Sequence, residues 1–158
     1  LDTLERLYRD SSLSLCISAD RPIQLHLRRF HETAPHVQLC MTDGVYSCLP
    51  SPMELEMMLL STMDAASDMA SWQRKLGLAL KKLSQDDATV VLAAAGFESF
   101  AEMKEYFVLR KKHLEEKFIH PVRKTGCNME TARACWQEYR RDYECWEAES
   151  DGTKDWRI

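Results

Sequence analysis

HVQLCMTDGVYSCLPSPME, residues 36–54, is the stretch that decides the fold, because the hydrophobic pattern changes inside it. In its first part apolar and polar side chains alternate, a period of two that is typical of β-strands. Asp43 and Gly44 separate the runs VQLCM and VYSCL. An Asp-Gly pair between apolar runs is a strong hairpin signal, because both central turn residues need positive φ. The stretch therefore predicts a β-hairpin that turns at these two residues.

The same alternation is present further upstream, after a short helical start. It covers two more apolar sets, which are Leu13, Leu15, Ile17 and Ile23, Leu25, Leu27. Each set has the length and spacing of a short strand, so we predict an antiparallel sheet of roughly three or four strands within residues 12–49.

Helix signals begin where the quoted stretch ends. Ser51 has the position of an N-cap, Pro52 that of the first helical residue, and Glu54 follows three residues after the cap. Apolar residues then recur every three or four positions in two stripes, which are Met53, Met57, Leu60, Met63 and Met69, Trp72, Leu76, Leu80, Leu83. This spacing predicts two amphipathic helices. The many methionines suit either a core or a binding groove.

A short helix is predicted next, over residues 90–95, although the β-branched residues within 89–94 also suit an inner strand. Ser84 with Asp87 would open it, and Gly96 would end it in a left-handed conformation. Ser99 then has the position of the N-cap of a longer helix.

This longer helix is expected to run as far as Pro121, and Asn128 is expected to cap the last helix. Residues 120–128 are the one clear break in the helical half. The sequence thus predicts an α+β fold, in which a small N-terminal antiparallel sheet precedes about five helices. We interpret residues 1–158 as a single domain with four parts, which are 1–50, 51–120, 128–149 and the tail 150–158.

The composition is that of a globular protein. Of the 158 residues, 45% are apolar and 29% are charged, and five Gly and five Pro argue against disorder or a fibrous repeat. No apolar run approaches the roughly 18 residues of a membrane span. We expect a fragment of a longer protein, because the chain begins at Leu1.

Six cysteines, namely Cys16, Cys40, Cys48, Cys127, Cys135 and Cys145, fall into two distant groups of three without closely spaced pairs. Zinc sites need such pairs, and disulfide-rich scaffolds are denser in cysteine. We therefore expect reduced thiols, no metal, and an intracellular location in cytoplasm or nucleus.

The last helix carries a row of large side chains at the 3, 4, 3, 4, 3 spacing of a helix-packing seam. Its members are Met129, Ala132, Trp136, Tyr139, Tyr143 and Trp146. Cys135 and Cys145 lie about 15 Å apart along such a helix, so they cannot share a bond or a metal. Two interpretations stay open: the seam packs on the core of this chain, or Trp136, Tyr139, Tyr143 and Trp146 dock a partner.

A basic cluster interrupts the acidic balance of the chain, whose net charge is −4. Its members are Arg110, Lys111, Lys112, Lys117, Arg123 and Lys124. Such a cluster can contact a phosphate backbone or an acidic partner, or it can form a solvated helix face.

Residues 36–51, HVQLCMTDGVYSCLPS, also resemble the hairpin of the second and third strands in OB folds of telomere-end-binding and replication single-strand-binding proteins. The shared elements are an apolar strand, a Ser/Thr-Asp-Gly turn and a short polar strand. The resemblance implies a barrel, with residues 23–30 as first strand, that binds single-stranded nucleic acid or docks a protein.

Catalytic motifs are absent from the sequence: it has no GxSxG, P-loop, HExxH or GxGxxG. His26, His31 and His36 lie near Cys40 and Cys48, but no orienting third group for a nucleophile pair can be identified. We therefore predict a non-catalytic interaction or assembly module, an adaptor without cofactor, small-molecule substrate or membrane contact, that binds a protein partner or a second copy. The alternative is an OB-like domain that binds single-stranded nucleic acid through the basic cluster.

Overall fold

The computed structural model of the chain describes residues 33–143. In chain order its elements are β1 (His36–Met41), α1 (Asp43–Tyr46), α2 (Pro52–Asp64), α3 (Met69–Leu83), β2 (Val90–Ala95), α4 (Phe100–Leu114), a π-helical turn (Glu115–Ile119), α5 (His120–Lys124) and α6 (Met129–Tyr143). The predicted α+β class is confirmed. In the described residues the sheet has two antiparallel strands, and it is not confined to residues 12–49 as predicted, because β2 lies beyond them.

The partner of β1 in the sheet is β2, in a register that runs from His36 opposite Ala95 to Met41 opposite Val90. The short helix predicted over residues 90–95 is therefore wrong. Val90 and Leu92 are half-buried while Val91 between them is 61% exposed, which is the alternation of a strand. Pairing with β1 outweighs the helical preference of the alanines that follow, and the β-branched valines fit a pleated surface.

The hairpin predicted at Asp43 and Gly44 does not form. These residues begin α1, and Gly44 has no positive φ. Thr42 extends the β1–β2 ladder instead, because its N–H donates to the Thr89 carbonyl and its hydroxyl accepts from the Thr89 N–H, each at 3.0 Å. A Cβ on Gly44 would lie 2.3 Å from the Asp87 carbonyl oxygen, so glycine is required here for close packing. The predicted strands over residues 13–17 and 23–27 lie outside the described residues.

The predicted helix N-caps at Ser51, Ser99 and Asn128 are confirmed. The Ser51 hydroxyl accepts from the N–H of Glu54 at 3.2 Å, and Ser99 accepts from Glu102 at 3.1 Å. The side-chain oxygen of Asn128 accepts from two N–H groups of the first turn of α6. Each cap satisfies N–H groups that a helix start leaves unpaired, which fixes where these helices begin.

Pro121 does not end the long helix as predicted. The chain continues from α4 through the π-helical turn into α5, where Pro121 takes a first-turn position that needs no N–H donor. The break is therefore shorter than residues 120–128. It lies at residues 125–128, where Gly126 and Cys127 have φ values of 66° and 60°.

The core forms where α2 packs against α3, α4 and the π-helical turn. The stripe predicted for α2 is buried along its whole length, and the α3 stripe is buried except at its two ends, where Met69 and Leu83 are exposed. Trp72 joins the two helices, because its indole N–H donates to the Leu59 carbonyl at 3.2 Å and to the Thr62 hydroxyl at 3.1 Å. The methionine-rich helix is thus mainly a core element.

Candidate functional site

The two-stranded sheet has one apolar face that is turned toward the helices. Because side chains alternate along a strand, Val37, Leu39 and Met41 share a face with the residues opposite them, and Leu92 is opposite Leu39. Val37, Met41 and Leu92 are half-buried against the core, whereas Leu39 keeps 40% of its surface exposed. The sheet therefore covers the helices only in part.

A groove of about 1000 Å³ lies between this sheet face and the helices. Most of its apolar lining comes from the sheet and three helices: Val37, Leu39, Met41 and Leu92 of the sheet, Leu55, Leu59, Leu60 and Met63 of α2, Tyr106 and Phe107 of α4, and Trp136 and Tyr139 of α6. This volume is at the upper end of small-molecule pockets, and its lining is mostly aliphatic and aromatic. Its size and lining suit several apolar side chains of a protein segment.

Large apolar side chains stand exposed at the rim of the groove. Leu39 lies on the sheet side, and Tyr106, which is 50% exposed, lies on the α4 side. The Tyr106 ring is held in place by edge contacts with Phe97 at 5.4 Å and Phe107 at 5.1 Å. A positioned aromatic ring at a rim loses little conformational freedom when it is covered, which favours binding there.

The polar groups of the groove are paired with one another. Glu56 accepts two hydrogen bonds from the guanidinium of Arg110, at 2.6 and 2.8 Å, and a third from the Tyr139 hydroxyl at 2.8 Å. The guanidinium also lies 5.5 Å from the centre of the Tyr139 ring. This triad joins α2, α4 and α6, and it leaves the groove with no uncompensated charge from Glu56 or Arg110.

Three of the seam residues of α6 that the structure describes pack on the core of this chain. Ala132, Trp136 and Tyr139 are all buried, and the Trp136 and Tyr139 rings stack with centroids 5.7 Å apart. Met129, at the first seam position, is 40% exposed. A partner can therefore reach Trp136 and Tyr139 only across the groove or after α6 moves. The Tyr143 side chain and Trp146 lie outside the described residues.

Most of the basic cluster is neutralised by carboxylates of the same chain. Besides the Arg110 pair, ion pairs join Lys111 to Asp64 at 2.6 Å, Lys112 to Glu116 at 4.0 Å, Lys117 to Glu138 at 2.8 Å and Arg123 to Glu54 at 3.1 Å. Lys124 makes no ion pair within residues 33–143. The hydrogen bond from Lys111 holds the pKa of Asp64 below its usual range, and that from Lys117 does the same for Glu138.

Two of the thiols in the described region are partly buried. Burial raises the pKa of the Cys48 thiol and of the Cys135 thiol, which disfavours the nucleophilic thiolate. The His36 ring lies within hydrogen-bond distance of the Ala34 carbonyl, at 2.8 Å. No group of three or more His, Cys, Asp or Glu residues within the described range could hold a metal ion.

Within the part of the chain that the structure describes, no helix combines the length and the apolar character that crossing a membrane requires. The chain matches no protein-family model, no curated protein and no solved structure. The groove is thus the feature on which a functional argument can rest.

Sequence reasoning missed the groove because it assigned residues 90–95 to a helix. A strand at this position brings Leu92 opposite Leu39 and creates the sheet face that forms one wall. The signal for the strand is the β-branched run Thr89, Val90 and Val91, which suits an inner strand and which the helix prediction did not follow.

Proposed function

We propose that this protein is a non-catalytic interaction module that binds an amphipathic helix of a protein partner in the groove between its sheet and its helices. The observation that carries the proposal is the groove itself, with apolar walls from the sheet and several helices and with exposed apolar side chains at its rim. Binding of an amphipathic helix in an apolar groove is a recurring recognition mode, in which residues at i, i+3, i+4 and i+7 act as anchors.

The orientation of the sheet supports a helix as the bound segment. The sheet presents side chains of one face, including Leu39 and Leu92, to the groove. A segment that binds there contacts side chains, so the apolar stripe of a helix is better matched to the groove than an added strand, which would use the edge of a sheet.

The charge of the groove defines the chemistry of the partner. Glu56 and Arg110 satisfy each other, so a charged side chain entering the groove would be desolvated without gaining a partner there. The bound face of the partner is therefore uncharged and aliphatic or aromatic. Methionines such as Met41 and Met63 in the lining suit such contacts, because a flexible thioether adapts to side chains of varied shape.

The proposed binding surface differs from the one predicted from the sequence, which was the aromatic face of the last helix. Docking is assigned to the groove, to which Trp136 and Tyr139 contribute as lining residues. The nucleic-acid alternative stays a prediction, and five of its six predicted phosphate contacts also form ion pairs with carboxylates of this chain. An intracellular adaptor role stays part of the proposal and is consistent with the free thiols of Cys40, Cys48, Cys127 and Cys135.

The experiment is a fluorescence anisotropy titration of the full chain against a labelled amphipathic peptide with leucines at i, i+3, i+4 and i+7. A peptide of the same composition in scrambled order is the reference. We expect saturable binding of the amphipathic peptide and at least tenfold weaker binding when Leu39→Asp places a charge at the rim.

Leu78→Asp is the matched control variant. Leu78 is 62% exposed on α3 and does not line the groove, so this variant should bind as the wild type does. Equal binding of both peptides, or equal loss of binding in both variants, would contradict the proposal. An absence of binding in the wild type and in both variants would also contradict it.

A further inference from the structure

The link between α5 and α6 holds Cys127 in a conformation that residues with a Cβ rarely adopt. Gly126 and Cys127 are both left-handed, at φ values of 66° and 60°. Glycine tolerates this region freely, but an L-residue with a Cβ such as cysteine is strained there. The turn is held by hydrogen bonds from the Gly126 N–H to the Arg123 carbonyl at 3.1 Å and from the Cys127 N–H to the Val122 carbonyl at 2.8 Å.

Within the described residues, the contacts that hold α6 reach residues that precede this link. The Tyr139 ring lies 5.4 Å from the Phe118 ring, in an edge contact, and the Tyr139 hydroxyl donates to Glu56. Glu138 pairs with Lys117 at 2.8 Å. A second copy of the chain could supply the same helix to the same site with every one of these contacts intact, because only the path of the link would differ.

We propose that α6 is exchanged between two copies of this chain, so that the protein forms a domain-swapped dimer. In the exchanged dimer, residues 125–128 no longer have to return α6 to its own chain. Cys127 can then adopt a negative φ. A short, strained link favours such exchange, because the strain is present in the closed monomer and is relieved in the exchanged dimer. The seam of α6 then serves as the interface between chains while Trp136 and Tyr139 stay buried.

Charge reversal at one ion pair tests the exchange directly. Lys117→Glu and Glu138→Lys each place like charges together in the closed monomer and in a dimer of identical chains. In an exchanged dimer of one copy of each variant, both sites regain opposite charges. Mixing the two variants should therefore raise the dimer population about tenfold over either variant alone, measured by size-exclusion chromatography with light scattering.

The link supplies a second, independent test. Deleting Gly126 and Cys127 should prevent the return of α6 and drive the chain to twice its monomeric mass, whereas Cys127→Gly should relieve the strain and lower the dimer population. A mixture that behaves like its separate components, or a deletion variant that stays monomeric, would overturn the proposal. A dimer that dissociates on Leu39→Asp but is unaffected by the variants at the link would also overturn the proposal. Self-association would then occur through the groove.

Discussion

The Tyr139 hydroxyl of α6 donates a hydrogen bond of 2.8 Å to the carboxylate of Glu56 in α2, which is 83 positions earlier in the chain. Arg110 of α4 donates to the same carboxylate, so one acidic side chain joins three helices. None of the sequence patterns that predict helices could show this triad, because it depends on how the helices pack.

Removing the carboxylate should destabilise the protein more than removing the hydroxyl. Tyr139→Phe leaves the Glu56 carboxylate paired with Arg110 and should cost about 1 kcal/mol of unfolding free energy. Glu56→Ala leaves two donors without their acceptor and should cost about 2–3 kcal/mol. Urea denaturation measures both, with Glu105→Ala as the control, since Glu105 is exposed and forms no ion pair within the described residues. Equal costs for Glu56→Ala and Glu105→Ala would contradict the role of the triad.

Trp136 is expected to contribute strongly to folding. It is 3% exposed and stacks on Tyr139, so Trp136→Ala should cost about 3–5 kcal/mol, a large part of the stability of a single domain. Leu109→Ala, at a side chain that is 78% exposed, is the control and should change stability by less than about 0.5 kcal/mol. A Trp136→Ala protein of unchanged melting temperature would show that the seam does not pack in the core.

Two glycines should respond to alanine with opposite signs. Gly44→Ala should cost about 1–3 kcal/mol, because the new methyl group would meet the backbone of Asp87 at 2.3 Å. Gly77→Ala should stabilise the protein by about 0.5–1 kcal/mol, since this glycine lies inside α3 with open space around it. Thermal unfolding of both variants measures these changes in stability. A harmless Gly44→Ala would argue against the packing of α1 on the loop before β2.

These variants also mark where the sequence was informative. Caps such as Ser51 and Ser99 are local signals, in which a side chain bonds to the N–H three residues later, so they could be predicted from the sequence. The pairing of Thr42 with Thr89 is not local, and it decides that Asp43 begins a helix rather than a hairpin. The paired residues of β1 and β2 are 49 to 59 positions apart, from Met41 with Val90 to His36 with Ala95, and no local pattern shows such a pairing, so the sheet wall of the groove was missed.

Lowering the pH should reduce the free energy of unfolding, because Asp64 and Glu138 become protonated and lose their ion pairs. Their lysine partners lower both pKa values in the folded chain, so the stabilisation is present at neutral pH and is lost as pH falls from about 5 to 3. Lys111→Met or Lys117→Met should make unfolding free energy depend less steeply on pH across this interval. Lys75→Met, at an exposed residue of α3, should leave the slope unchanged. An identical slope in all three variants would contradict the ion-pair account.

The location of a bound helix tests the central claim most directly. We would add the amphipathic peptide with a nitroxide label to the isotopically labelled full chain and measure paramagnetic broadening of its amide signals. The account predicts broadening along β1 near Leu39 and on α4 near Tyr106, and none on the outer face of α3 near Leu78. Broadening centred on α3, or spread evenly over the described residues, would contradict binding in the groove.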